Sequence, residues 1–136
     1  MSTLEALLKA AHQAQKRAYV PYSDYPVGAA LETDDGHIFT GCNVENAAYP
    51  QSMCAERVAV FKAVSEGHRA IRRLVVVTED GGTPCGGCRS VLAEFGDPET
   101  EVITVDRHGH QRRYTLGQLL PKAFEFQHRP RAGKSE

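Results

Sequence analysis

Three cysteines and a glutamate, set as Cys54-Ala55-Glu56 and Pro84-Cys85-Gly86-Gly87-Cys88, are the residues of this chain best arranged to do chemistry. Three thiolate ligands leave the fourth position of a tetrahedral zinc ion open to water, whereas a structural zinc site closes it with a fourth Cys or His. Glu56 lies too near Cys54 to form an independent arm of a metal cage, yet near enough to handle the protons of a water at the metal. Cys54, Cys85 and Cys88 therefore read as ligands of one Zn2+ ion per chain, and Glu56 as the catalytic acid and base. By base rate a Glu in a first helical turn is an exposed carboxylate; the adjacent Cys54 argues otherwise here.

Both cysteine groups fall where a helix should begin, and backbone N–H groups and the helix dipole stabilise thiolates there. Cys85 and Cys88, three apart, can share a helical face. Cys54 and Glu56 would diverge on a regular helix, so the motif requires Cys54 in the first turn with its side chain directed across the helix end. Three thiolates around a divalent ion carry a formal charge of about -1, which makes ionising a bound water harder. Arg57 is placed to offset this by hydrogen-bonding the thiolates, and Arg89 is a second candidate. A plain salt bridge is the alternative for either arginine.

The elements that must position these residues follow from pattern. Ser2 with Glu5 makes a capping box, and apolar residues from Leu4 to Ala18 recur at helical spacing, so a helix is expected to end near Val20, before Pro21. Residues 27–33 and 37–41 read as strands joined across Asp34-Asp35-Gly36, residues 43–52 as a loop. A helix from Met53 or Cys54 to Glu66, stopped by Gly67, is apolar around most of its circumference, which implies burial on more than one side. Residues 74–78 form an unbroken apolar, β-branched run suited to a strand covered on both faces. A third helix follows Pro84 and runs to Gly96; residues 101–105 and 111–114 pair as strands; Thr115 and Gln118 open a last short helix limited by Pro121. The alternation implies an α/β fold, a three-layer α/β/α sandwich with a five-stranded mixed sheet.

Size and composition narrow the function classes. The 136 residues, 41% of them hydrophobic, suit one domain, expected over residues 1–126, with a polar, flexible tail at 127–136. A formal net charge of -1, with Lys and Arg spread along the chain, argues against nucleic-acid binding. The sequence has neither an apolar run of membrane-spanning length nor a signal-peptide pattern at its start, so the expected location is cytoplasmic. That disfavours a disulfide framework, and a third Cys followed by Ala-Glu has no place in a thioredoxin-like redox centre. Cys42 reads as a buried small hydrophobe, and the six histidines, all outside the ligand motifs, as surface or turn residues.

Cys54-Ala55-Glu56-Arg57 and Pro84-Cys85-Gly86-Gly87-Cys88-Arg89 resemble the motifs of the zinc-dependent deaminases of cytosine-type bases, which include a three-cysteine variant. Pro21-Tyr22-Ser23, Val27-Gly28-Ala29-Ala30, Gly41-Cys42-Asn43-Val44-Glu45-Asn46-Ala47-Ala48-Tyr49 and Leu119-Leu120-Pro121 extend the resemblance, over nearly the whole chain, to the small homotetrameric cytidine deaminases. The resemblance implies hydrolytic deamination of cytidine and deoxycytidine in pyrimidine salvage, with active sites shared between four subunits and a small nucleoside as substrate. By the same resemblance Asn43 and Glu45 bind the ribose 3'-hydroxyl, the Ala55 N–H meets the base O2, the Thr83 carbonyl meets the 4-amino group, and Tyr25 lines the sugar side where the family usually has Phe. Ala47, Tyr49 and Phe124 match positions contributed to a neighbouring subunit's site. Residues two apart in an extended segment project to one side, which suits the paired role of Asn43 and Glu45; the alternative is that both only fix the loop. Ser90 stands where Gln commonly follows the Cys-Arg pair, and the chain end lacks the acidic-leucine ending of many relatives. Rival readings are a deaminase of a modified cytosine nucleoside, a non-enzymatic zinc module and a polynucleotide editor.

Overall fold

The computed structural model describes residues 3–125, so Ser2 and the expected tail at 127–136, with its boundary at 126, lie outside the described residues. Helix α1 (Leu4–Gln15) is capped by Thr3, whose hydroxyl accepts from the Ala6 N–H. The helix also stops at Gln15, short of Val20, because the Tyr19 backbone is drawn away: its N–H donates to the Asn43 carbonyl and its carbonyl accepts from the Glu45 N–H. Long-range backbone pairing thus overrides local helical spacing.

The remaining elements are β1 (Gly28–Thr33), β2 (Ile38–Cys42), a 3-10 turn (Tyr49–Gln51), α2 (Ala55–Ser65), β3 (Ile71–Val77), α3 (Gly86–Phe95), β4 (Glu101–Val105), β5 (Gln111–Thr115) and α4 (Leu116–Leu119). The short turn and a bridge between Val44 and Met53 give the expected loop its own structure. The capping box at Thr115 and Gln118 forms as expected.

The sheet has the order β2-β1-β3-β4-β5, parallel only between β3 and β4. Alternation along the strands sorts the core into two layers. Ala30, Val75, Val77, Ile103 and Val105 pack against Leu7 and Ala11 of α1; Ala29, Leu31, Leu74, Val76 and Val102 pack against Ala59 and Val60 of α2 and Leu92 of α3. The expected three-layer sandwich with its five-stranded mixed sheet is the observed one, and β3 is its centre.

One face of α2 departs from expectation. Ala55, Glu56, Ala59, Val60 and Ala63 are buried, but Phe61 is exposed, so within a single chain α2 is covered on one side only. Cys42 is likewise half-buried, its thiol donating to the Arg17 carbonyl at 3.4 Å, because it sits at the end of the edge strand rather than in a core layer.

Gly41 lets α2 lie close on the sheet. A Cβ there would come within 2.4 Å of the Ala55 carbonyl oxygen and 2.6 Å of the Ala59 nitrogen, both backbone atoms. Gly41→Ala is expected to push back the first turn of α2 and to cost about 1–3 kcal/mol, read as a lower urea midpoint at unchanged m-value. An unchanged midpoint would show that α2 can shift freely on the sheet.

Candidate active site

The first turns of α2 and α3 meet at one end of the sheet. Cys54 and Cys85 are the N-cap residues of the two helices, and Cys88 lies one turn into α3. The requirement on Cys54 is therefore met: as an extended N-cap residue (φ -72°, ψ 148°) it sends its side chain across the helix end, while Glu56 follows inside the first turn. The Sγ atoms of Cys54 and Cys85 are 3.9 Å apart and those of Cys85 and Cys88 3.5 Å apart, and all three lie within 4.8 Å of one another. Zn–S bonds of about 2.3 Å in a tetrahedron give S···S edges of about 3.8 Å, so the three thiols fit a zinc ion.

Charge supports the same fit. The Cys54 thiol is brought down to about 5, first by its bond with Cys88 and then by Arg57, whose Nη2 donates to Cys54 Sγ at 3.2 Å. Cys88 is pushed up by its bond to Cys54, its burial and the Glu56 charge. Three adjoining thiols thus resist joint ionisation, which is the environment that a divalent cation among them relieves. Arg57 thus makes a hydrogen bond to one of the thiols, the contact its expected role requires. Arg89 instead serves as a clasp, donating to the carbonyls of Pro84 (2.6 Å) and Leu119 (2.7 Å) and to the Thr83 hydroxyl (2.8 Å). These bonds tie the start of α3 to the loop before it and to α4.

Glu56 is 6% exposed, and burial, followed by the nearby Cys54 charge, raises its carboxyl to about 7, against the opposing pull of Arg57 and its own backbone N–H. A carboxyl poised near neutrality can both take and give a proton. It lines a cavity of about 210 Å³ together with Cys54, Ala55, Cys85, Tyr25, Asn43 and Thr83.

The cavity also brings in Val27, Thr78 and Gly82, which the sequence reading did not single out. Thr78 closes the central strand, and its hydroxyl accepts from the N–H groups of Gly81 (2.7 Å) and Gly82 (3.1 Å), shaping the turn that leads to Thr83. A polar residue where an apolar central strand leaves the sheet was the available signal. The Tyr25 hydroxyl finds its partner in Asp80, donating to Oδ1 at 2.6 Å, and Asp80 also accepts from the Gly82 N–H at 3.1 Å. Burial and then Asp80 raise the Tyr25 pKa; Asp80 is lowered, chiefly by Tyr25.

Asn43 and Glu45 are both tied to the segment before β1. The Asn43 amide donates to the Tyr25 carbonyl and accepts from the Val27 N–H, each at 2.9 Å. Glu45 accepts from the N–H groups of Tyr22 (3.0 Å) and Ser23 (3.1 Å) and from the Ser23 hydroxyl, which together hold its carboxyl below the ordinary value. Asn43 borders the cavity, whereas Glu45 is not among its lining residues. Ala47, Tyr49 and Phe124 lie away from it on the surface, Tyr49 84% and Phe124 80% exposed.

Comparison with known proteins agrees with this geometry. Residues 1–104 match the family model for the cytidine and deoxycytidylate deaminase zinc-binding region. The chain is 47% identical to the cytidine deaminase of Sporosarcina psychrophila over 123 residues, 89% of this chain and 90% of that one. Among solved structures, the cytidine deaminase of Burkholderia pseudomallei superposes with a TM-score of 0.86 at 46% identity, covering 90% of this chain and all of that one. The cytidine deaminase of Mycobacterium tuberculosis superposes at 0.78 and 40% identity, over 93% of this chain and 100% of that chain. With three thiols at zinc-binding spacing beside a buried carboxyl, this chain belongs to the cytidine and deoxycytidylate deaminase family.

Proposed function

We propose that the chain is a homotetrameric, zinc-dependent cytidine deaminase, converting cytidine and deoxycytidine to uridine and deoxyuridine with release of ammonia, in pyrimidine salvage. The observation that carries this reading is the buried Glu56 carboxyl in the same cavity wall as Cys54 and Cys85. Bound zinc supplies an activated water as nucleophile at neutral pH. Glu56 would take one proton from the attacking water and deliver it to N3 of the ring, then pass the remaining hydroxyl proton to the 4-amino group as the C4–N bond breaks, so that cytidine and water become uridine and ammonia. Ala55 opens α2, where backbone N–H groups have no intrahelical partner, so its N–H is available to the base O2. The Thr83 carbonyl receives the 4-amino group, Asn43 and Glu45 the ribose 3'-hydroxyl, and Tyr25 the sugar edge.

At about 210 Å³ the cavity is small beside ordinary ligand sites of about 300–1,000 Å³. A second copy supplying Ala47, Tyr49 and Phe124 would complete it, and their exposure favours that reading. Sedimentation should give four chains; a monomer with full activity would remove the shared site. Reactive thiols suit a reducing cytoplasm, and among the described residues no helix is long and apolar enough to cross a membrane. Among the described residues the cluster has three donors, one fewer than a closed structural zinc module uses. The deciding assay is the ultraviolet spectrum of the zinc-loaded protein with cytidine, with and without a chelator. A chelator-sensitive shift to the uridine spectrum supports the reading. No shift with zinc held in the thiol cluster sinks it and favours a modified cytosine nucleoside as substrate.

Tyr25→Phe tests the wall. Losing the bond to Asp80 frees the turn at Gly82, and KM is expected to rise about fivefold, equivalent to about 1 kcal/mol, with kcat unchanged. Asp80→Asn should reproduce the effect. A fall in kcat alone would place Tyr25 at the chemistry instead.

A further inference from the structure

We propose that Asp35, His37 and His68 form a second divalent-metal site, distinct from the thiol cluster, that takes a borderline ion such as zinc and pins the catalytic helix to the sheet hairpin. Asp35 and His37 flank Gly36 in the turn between β1 and β2, whereas His68 arrives from the far end of α2. The Asp35 carboxylate meets His37 Nδ1 at 3.3 Å through Oδ1 and His68 Nδ1 at 3.0 Å through Oδ2. One donor atom from each residue falls within 4.8 Å of the others. Metal–nitrogen and metal–oxygen bonds of about 2.0–2.1 Å give tetrahedral edges of about 3.3 Å, so the three side chains already stand near ligand spacing.

Their placement is fixed by the backbone. Gly67, at φ 91°, ends α2 in the left-handed turn that glycine favours, and the His68 N–H then bonds back to the Ala63 carbonyl at 2.9 Å. The His68 ring lies 5.3 Å from that of Phe39 and 4.2 Å from that of His37, centre to centre, and its side chain is only 21% exposed. On the hairpin side, the Thr33 hydroxyl bonds the Asp35 carboxylate and so orients it, as partners behind metal ligands do. Asp35 is ionised at neutral pH: the Thr33 hydroxyl, then the two imidazoles, hold its carboxyl down to about 2.

The donor set selects the ion. Two imidazoles and one carboxylate suit zinc, nickel or copper, whereas magnesium and calcium prefer oxygen ligands throughout. Asp35 and His37 are each 58% exposed, which leaves room for waters at the remaining positions. The ion would join two segments 31 residues apart at the C-terminal end of the helix whose other end bears Cys54 and Glu56. Binding to the folded state alone makes such an ion stabilising.

The test uses the full chain with its thiol cluster loaded with zinc, dialysed against buffered free zinc and counted by plasma mass spectrometry. Wild type is expected to hold two zinc ions per chain, and Asp35→Asn, His37→Gln and His68→Ala to hold one, with affinity for the second ion at least about tenfold weaker. Added zinc should raise the Tm of wild type and leave that of the variants unmoved; magnesium should move neither. His37→Gln changes an exposed side chain, so the test survives if His68→Ala fails to fold. His110→Ala, which breaks the exposed Asp106–His110 pair, should keep both ions. A wild type that stops at one ion, a second ion retained in all three variants, or its loss in His110→Ala would each overturn the site.

Discussion

Glu56→Gln is expected to keep zinc and fold while lowering kcat by about 10²–10⁴-fold, the range carried by a single general acid and base. The amide fills the same volume and can accept hydrogen bonds, but it cannot carry a proton from the attacking water to the ring and on to the amine. The substitution also removes an ionisable group that burial raises to about 7, so the interior loses no solvated charge. KM for cytidine should change little, because the other cavity residues Tyr25, Asn43, Ala55 and Thr83 remain. The measurement is a steady-state ultraviolet assay beside zinc content and a thermal melt. Turnover within tenfold of wild type, at full zinc, would take Glu56 out of the chemistry. A parallel loss of zinc would mean instead that Glu56 supports the metal.

Cys88→Ser is expected to have the second large effect, loss of the thiol-bound metal and of turnover. Cys88 is fully buried at the back of the cluster, 3.5 Å from Cys85, while Cys85 itself is exposed. Serine offers a harder, weakly acidic oxygen on a shorter bond. Zinc affinity should fall by more than about 100-fold, since even partners behind the ligands are worth about 10–100-fold. A hydroxyl at this depth without a good partner should also destabilise the chain by about 1–3 kcal/mol. Zinc content after dialysis and a denaturant melt read the two effects separately. Cys42→Ser, whose thiol donates to the Arg17 carbonyl away from the cluster, should retain zinc and activity. If Cys42→Ser lost the metal and Cys88→Ser kept it, the assignment of ligands would be wrong.

Most of the architecture was legible because its signals are local. The apolar run ending at Thr78, the Asp-Gly turn at Gly36, Gly67 after α2 and the Thr115–Gln118 capping box each specify a backbone state within a few residues. The central strand was read from Leu74 but begins at Ile71, and the end of α1 was misread because helical spacing continues to Ala18 while the Tyr19 backbone pairs with residues 43 and 45. The circumference of α2 is apolar beyond what one chain covers: the pattern records which residues are apolar, and Phe61 is exposed here.

For the site, the chain by itself determined the ligand types, their positions at helix starts and the proximity of Glu56 and Arg57 to Cys54, because these depend on spacings of one to three residues. Only the tertiary structure decided that two helix ends meet, so that Cys54 and Cys85, 31 residues apart in sequence, bring their sulfurs to 3.9 Å. It also decided that Arg89 clasps the loop, that Tyr25 bonds Asp80, that Asn43 and Glu45 anchor the 22–27 segment, and that His68 reaches Asp35. Each of these joins segments whose separation along the chain carries no periodic signal, and their approach is set by how helices pack on a twisted sheet.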